Sequence, residues 1–346
     1  MDKLIMEQEN PLVCICIPVY NAERTIRETI SSIINQTYKN IEIHVVDNAS
    51  IDNTLAIVSE FNDSRITIHC NGVNIGGEGN FNRCIELATG KYTAIFHADD
   101  VYEPNIIEKQ VSCFQTDINI GAVFTAAKTI DSAGAVTGSI GASKLSSNTA
   151  VFDFNLLFKS ILKFGNFIVC PSAMVRTDIY KDQILWWRGD LFRSSADLDV
   201  WLRIAEYHSI VFLEEELMRY RVDSNQFSNQ VRLRCERADF FLVTDYYLKN
   251  SKIQKFLINS DRLNYEMLVI NDKVWRSINQ YLNGNIEEAT LLLRGLMSLK
   301  LFPAIFCSRR DLMTVAASIF LRLAITFKMY KASVVVLNYF RAKYNK

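Results

Sequence analysis

Residues 12–47 read LVCICIPVYNAERTIRETISSIINQTYKNIEIHVVD, and this stretch decides the fold. Residues 12–19 form an unbroken apolar run rich in β-branched side chains, the pattern of a strand covered on both faces. Ile26, Ile30, Ile33 and Ile34 then recur at helical spacing, and IEIHVVD (41–47) is a second strand. Such a strand–helix–strand unit closes as a right-handed crossover between parallel strands. Working outward, Asp52 is placed to cap a helix carrying Leu55, Ile57, Val58 and Phe61. RITIHC (65–70) is a third strand, a helix is expected over 76–89, and KYTAIFH (91–97) is a fourth strand. The expected class is α/β, a mostly parallel sheet flanked by helices, with ligands at the carboxyl ends of the strands.

Past residue 115 the alternation loosens. GAVFTAAKTIDSAG (121–134) reads as a strand with a turn, GSIGASKLSSN (138–148) as a small-residue loop, and NFIVCPSAMV (166–175) as a strand. A helix is expected over about 196–207, with a short strand, SIVFLE (209–214), behind it. From about residue 226 the patterns are helical, so the expected division is a catalytic domain, 1–228, and a helical region, 229–346.

The chain has 346 residues, 49% hydrophobic and 22% charged, which excludes a disordered, collagen-like or small disulfide-stapled protein. Lys plus Arg equals Asp plus Glu at 38 each, so bulk charge gives no sign of nucleic-acid binding. The balance hides an asymmetry. Residues 300–346 hold nine Lys or Arg against one acid, Asp311. A basic, apolar tail on an acidic body points to an anionic lipid surface. The eight Cys show neither a CxxC pair nor zinc-type spacing with His. Cys14 and Cys16 fall on one face of a strand and read as buried thiols of a reducing compartment. MDKLIMEQEN (1–10) lacks a signal-peptide pattern, and the most apolar stretch, Leu312 to Phe327, is interrupted by Arg322. The expected location is cytoplasmic, with the tail allowing a peripheral position at the inner face of the membrane.

The carboxylates carry the functional signal. Asp47 ends the second strand, and Asp99 and Asp100 follow the fourth in HADDVYEP (97–104). On adjacent parallel strands these acids converge at one sheet edge, where they repel unless a cation or hydrogen-bond donors share the site. Hard oxygen ligands suit Mg²⁺ or Mn²⁺, which take one or two carboxylates together with substrate phosphates. A nucleoside diphosphate is the natural occupant. The alternative is that Asp99 and Asp100 cap the helix beginning near Pro104.

Together, residues 18–54 (PVYNAERTIRETISSIINQTYKNIEIHVVDNASIDNT) and 74–104 (NIGGEGNFNRCIELATGKYTAIFHADDVYEP) closely resemble the nucleotide-sugar-binding half of family 2 glycosyltransferases. The likeness runs over about 11–115 and resumes at 166–225. The resemblance implies a GT-A, Rossmann-like fold, an inverting transfer and a divalent metal. It also implies a nucleotide-sugar half at 11–115 and an acceptor half at 116–228. Carried over by position, it makes Pro18, Val19 and Tyr20 a nucleotide-contacting loop, with Asn74 and Gly76 of NIGGEGN (74–80) beside it. Asp47 becomes the acceptor for the N3–H of a uracil or thymine, the alternative being a turn with Asn48 and Ser50. HADD stands at the family's metal motif, so Asp99 is implied as metal ligand and donor contact, with Asp100 a second ligand or ribose partner. His97 stands where the family often has an acid and is a weaker candidate.

SSADLDVWLRIAEY (194–207) is similar to the family's acidic pair before an apolar-Arg helix, with Ala196 in place of the usual Glu. This implies Asp197 as the general base that takes the proton from an acceptor hydroxyl. Capping is the competing role, although Ser194 and Ser195 are available for it. Trp186 and Trp187 precede that helix on an exposed-looking stretch. In YRVDSNQFS (220–228), similar to a segment near the diphosphate, Arg221 pairs with either a phosphate or an acid, and Asp223 stands where His is usual. The resulting expectation is hexose transfer from a UDP- or dTDP-sugar to a hydroxyl of a glycan or lipid-linked acceptor in surface polysaccharide synthesis. A binding protein without turnover and a membrane scaffold are the rival readings.

Overall fold

The computed structural model describes residues 10–141, 149–222, 233–296 and 308–344. The chain divides into two compact units, one of Met1–Leu157 with Phe167–Arg221, the other of Phe158–Asn166 with Val222–Lys346.

The first unit begins with the expected alternation: β1 (Val13–Val19), α1 (Ile26–Ile34), β2 (Ile41–Asp47), α2 (Thr54–Ser59), β3 (Ile66–Cys70), α3 (Gly76–Leu87) and β4 (Tyr92–Ile95). After β5 (Val101–Tyr102) and α4 (Ile106–Phe114) come β6 (Ile120–Ile130), β7 (Val136–Ile140) and β8 (Thr149–Phe152). Helix α5 (Phe154–Phe164), β9 (Met174–Arg176), α6 (Gly189–Phe192), α7 (Ala196–Ala205) and β10 (Ser209–Arg221) follow. The sheet order is β3-β2-β1-β4-β9-β6-β10-β5, with β7 on β6 and β8 on β10. β1, β2, β3 and β4 are mutually parallel, as are β6 and β10. The antiparallel pairings all involve β5, β7, β8 or β9.

The apolar run of β1 serves both faces. Val13, Ile15, Ile17 and Val19 join Ile26, Ile30 and Ile33 of α1 in one core cluster. Cys14 and Cys16 alternate with them, buried as free thiols, and Cys16 Sγ contacts the Cys84 carbonyl of α3. Three local expectations are corrected. The stretch 166–175 is mostly irregular: Pro171 lacks an N–H for the ladder, a short 3₁₀ turn spans Cys170–Ser172, and only Met174–Arg176 pairs. SIVFLE continues to Arg221 as one long strand because bulges near Leu213 and Glu216 re-aim it between β6 and β5. Part of the expected loop 138–148 belongs to β7, and 142–148 lie outside the described residues.

In the second unit, α8 (Phe240–Leu248), α9 (Ser251–Phe256), α10 (Asn259–Leu282) and α11 (Ile286–Leu293) are followed by α12 (Arg309–Thr326) and α13 (Tyr330–Tyr344). Val274, Ile278, Leu293, Ala317, Leu321 and Leu337 form its core, contributed by α10, α11, α12 and α13. The apolar stripe of the tail is thus partly consumed in a helical bundle. Among the described residues no helix is long and apolar enough to cross a membrane.

Candidate active site

A cavity of about 520 Å³ opens where β1, β2, β3 and β4 end. Pro18, Val19 and Tyr20 from the end of β1, Asn74 and Gly76 from the loop into α3, and His97 and Asp99 after β4 all line it. Seven residues singled out in the sequence therefore meet in one place. Asp47, Asp100, Asp197 and Arg221 are not among the lining residues, and Asp223 lies outside the described residues.

Asp47 is buried at the end of β2. Its Oδ2 accepts the Ser50 N–H at 3.1 Å, so the turn foreseen with Ser50 exists. The turn uses one oxygen only: Oδ1 is buried with no hydrogen-bond partner among the described residues. An acceptor left in that state costs about 1–3 kcal/mol.

The residue the sequence reading missed is Asn48. It is buried, and its Nδ2 donates to Asn74 Oδ1 at 2.9 Å and to the Gly76 carbonyl at 3.1 Å. Its Oδ1 accepts from the Ile75 N–H at 2.9 Å and from Asn71 Nδ2 at 3.2 Å. Asn71 also donates to Asn80 Oδ1, and Asn80 Nδ2 donates to the Val46 carbonyl. These amides fasten the Asn74–Gly76 loop to β2, where Gly76 adopts φ +80°, a conformation that excludes most other residues. The only sequence signal was four Asn near strand ends, and amides have no hydrophobic period.

The HADD turn is held from below. Thr25 and Thr29 hydroxyls donate to the Ala98 carbonyl, and Thr29 also donates to that of Asp100. The His97 N–H donates to the Tyr102 hydroxyl at 2.7 Å. Asp100 is fully buried; its Oδ1 accepts the Arg221 N–H at 2.8 Å and its Oδ2 has no partner among the described residues. Burial, then the neighbouring Asp99, push its carboxyl well above the usual range. His97 Nε2 is likewise buried with no partner among the described residues, and burial lowers its pKa against the pull of Asp99. His97, Asp99 and Asp100 bring one ligand atom each to within 4.8 Å of one another. The capping alternative does not hold, because α4 has Asn105 at its N-cap and β5 intervenes.

Arg221 takes the acid-bridging alternative. Its Nε donates to the Asp99 carbonyl at 2.8 Å, and its other nitrogens donate to the Asp131 carbonyl and to Glu28 Oε2 at 2.6 Å. The guanidinium of this buried residue is spent on holding the turn.

Asp197 is the second residue of α7, where Ser195 is the N-cap and makes no side-chain capping bond. Burial raises its pKa to about 6, although its own N–H and that of Leu198 favour the charge. The Cys170 thiol is raised by burial and then by both Asp197 and Asp100, which places it within electrostatic reach of both acids. Asp199, two residues along and fully buried, pairs with Arg188 and Arg203. Arg203 also donates to the Ile184 and Trp186 carbonyls. On this stretch Trp186 is 54% exposed as expected, but Trp187 is only 7% exposed, stacked on Phe81 of the cavity wall at 4.5 Å. The Gly189 N–H donates to Glu78 Oε1 at 2.7 Å, and a Cβ on Gly189 would lie 1.6 Å from Glu78 Oε2. Contacts from Phe81 and Glu78 thus join the segment leading into α7 to the cavity-bearing half.

Comparison with known proteins agrees with this architecture. Residues 14–182 match the family described as Glycosyl transferase family 2. An uncharacterized glycosyltransferase of Haemophilus influenzae is 30% identical over 295 residues, covering 81% of this chain and 88% of that protein. The Escherichia coli protein UDP-Glc:alpha-D-GlcNAc-diphosphoundecaprenol beta-1,3-glucosyltransferase WfgD is 44% identical over 101 residues, 29% of this chain and 40% of that one. The mannosyltransferase PcManGT from Pyrobaculum calidifontis, solved with GDP-Man and Mn²⁺, superposes with a TM-score of 0.51 at 16% identity. It covers 95% of this chain and 85% of that one. With strands, cavity and relatives in agreement over most of its length, the chain belongs to glycosyl transferase family 2 and is a glycosyltransferase of the GT-A fold.

Proposed function

We propose that this enzyme moves a hexose, with inversion, from a UDP- or dTDP-sugar to a hydroxyl of a lipid-linked or other glycan acceptor in polysaccharide synthesis. The observation that carries this reading is the cavity at the carboxyl ends of four parallel strands, lined by Pro18, Val19, Tyr20, Asn74, Gly76, His97 and Asp99. Its size lies within the usual 300–1,000 Å³ of small-ligand sites. Asp47, just before Asn48 of the cavity wall, carries an acceptor oxygen of the kind that the imide N3–H of uracil or thymine pairs with. The WfgD relative, by its name, uses UDP-Glc and a diphosphoundecaprenol-linked sugar, which favours the same donor and acceptor classes here.

The donor set at HADD fits a divalent cation. Two of its polar atoms, His97 Nε2 and Asp100 Oδ2, are buried without partners, and three ligand atoms cluster. Asp99, with Asp100 and His97, would hold Mg²⁺ or Mn²⁺. When bound, such an ion offsets the charge of the departing diphosphate. The turn itself is positioned by Thr25, Thr29 and Arg221, so Arg221 acts as a positioning residue rather than a phosphate ligand. Asp197 takes the proton from the acceptor hydroxyl as that oxygen forms its bond to the anomeric carbon and the bond to the diphosphate breaks. A single displacement inverts the centre and needs no enzyme nucleophile.

A panel of UDP-, dTDP- and GDP-sugars tests the proposal by binding and by slow donor hydrolysis, with and without Mn²⁺. A uracil or thymine donor should bind in a metal-dependent way, weaken in Asp99→Asn, and still bind Asp197→Asn without being transferred. Donor binding indifferent to Asp99→Asn, or turnover surviving Asp197→Asn, rejects it.

A further inference from the structure

A second cluster of metal-type ligands lies on the sheet, apart from the donor cavity. Cys14 of β1, with Glu42 and His44 of β2, brings one ligand atom each to within 4.8 Å. The register brings them together: Cys14 pairs with Glu42 and Cys16 with His44, and residues two apart share a face. Cys14 stands five residues before the end of β1, roughly 15 Å of strand from the cavity.

The details favour a metal over a self-contained polar cluster. His44 Nε2 lies 3.5 Å from Glu42 Oε1, and that oxygen is buried without a hydrogen bond. Two ligand atoms on one tetrahedral zinc, each about 2.0–2.1 Å from the ion, stand about 3.4 Å apart. The His44–Glu42 separation is already that of a coordination edge. On the far side of the ring, His44 Nδ1 is 2.9 Å from Nε2 of His69 in β3, the rings stacked at 5.0 Å.

We propose that Cys14, Glu42 and His44 bind Zn²⁺ or a similar divalent transition ion, with His69 orienting His44. Thiolate, imidazole and carboxylate together select zinc over magnesium. His69 Nε2, 2.9 Å from His44 Nδ1, is placed to accept the His44 Nδ1–H. That tautomer leaves the Nε2 lone pair of His44 for the metal, the usual outer-shell arrangement. Solvent reaches the cluster through Glu42 and His44, whose side chains are 29% and 13% exposed. As the sulfur–metal bond forms, the Cys14 thiol gives its proton to solvent, so affinity rises with pH. The ion would tie β1 to β2 and stabilise the folded chain by mass action. The inference does not depend on the proposed transfer reaction.

The test uses the untagged full chain in excess Mg²⁺, titrated with Zn²⁺ against a competing chelator and separately with Co²⁺. One Zn²⁺ per chain should bind, the melting temperature should rise, and the Co²⁺ form should show a sulfur-to-metal absorption band. His44→Gln should lose at least tenfold in Zn²⁺ affinity, and His69→Gln about 10–100-fold, as outer-shell partners do. Asp99→Asn should leave Zn²⁺ affinity unchanged. Zn²⁺ binding unaffected by His44→Gln, binding abolished by Asp99→Asn, or a Co²⁺ spectrum without the sulfur band overturns the proposal. A wild-type band that His44→Gln removes reports a thiolate beside His44 even where Cys14→Ser does not fold.

Discussion

Asp197 carries the proposed chemistry, and its surroundings tune it for the task. A pKa raised to about 6 leaves it a carboxylate at neutral pH yet basic enough to accept a proton. For the wild-type enzyme, kcat/KM should fall about tenfold per pH unit below about 6 and level off above it, read from a pH–rate profile. Asp197→Asn should lower transfer by about 10²–10⁴-fold, the usual share of a general base, while calorimetry finds donor affinity unchanged. The same substitution should raise the melting temperature at pH 7. Because the folded-state pKa lies above the ordinary 3.8, the stability contribution of Asp197 is fully present below that value and lost as pH rises through about 6. Asparagine cannot ionise and escapes that loss. A melting temperature lowered at pH 7 and unchanged at pH 4 would contradict this account.

At the scale of elements, the cavity depends on loops held by strands that neighbour them only in the fold. Asn48 after β2 fixes the Asn74–Gly76 loop through three hydrogen bonds and accepts a fourth from Asn71. Asn48→Ala strands the Ile75 N–H and unties the Asn74 side chain from β2, so unfolding free energy should drop by about 1–3 kcal/mol. Donor affinity should weaken roughly tenfold, the equivalent of about 1.4 kcal/mol. Denaturant titration and nucleotide calorimetry on the same variant check both, and faster amide exchange should be confined to the loop. Arg221 illustrates the same dependence: at the end of β10 it anchors the HADD turn and pairs with Glu28 of α1, 193 residues away in sequence.

For the whole molecule, the expected membrane contact falls on the helical unit. α12 and α13 contribute Ala317, Leu321 and Leu337 to a bundle core, yet leave Leu323, Phe327, Tyr330 and Val335 exposed beside exposed Lys328 and Lys331. That outer surface suits an anionic bilayer, where each basic residue contributes about 1 kcal/mol. Lys328→Glu with Lys331→Glu should reduce cosedimentation with anionic vesicles at least tenfold and leave the melting temperature unchanged; a wild-type chain that ignores such vesicles rejects the membrane reading. Truncation is a poorer test, since it removes core residues of the bundle. Apolar periodicity and the acids that follow β2 and β4 are properties of neighbouring residues, so the parallel sheet and the strand-end places of Asp47 and HADD were legible along the chain, while Pro18–Tyr20 rested on the family resemblance. Partners brought together by register and crossover leave no local trace. That is why the Asn48 amide network, Asp199 between Arg188 and Arg203, the burial of Trp187 against Phe81 and the Cys14–Glu42–His44 cluster appeared only in three dimensions. The sequence by itself determined which strands form and where their charged ends fall; tertiary structure decided which side chains share a site, because a buried polar group takes whatever partner the packed fold places within hydrogen-bond reach.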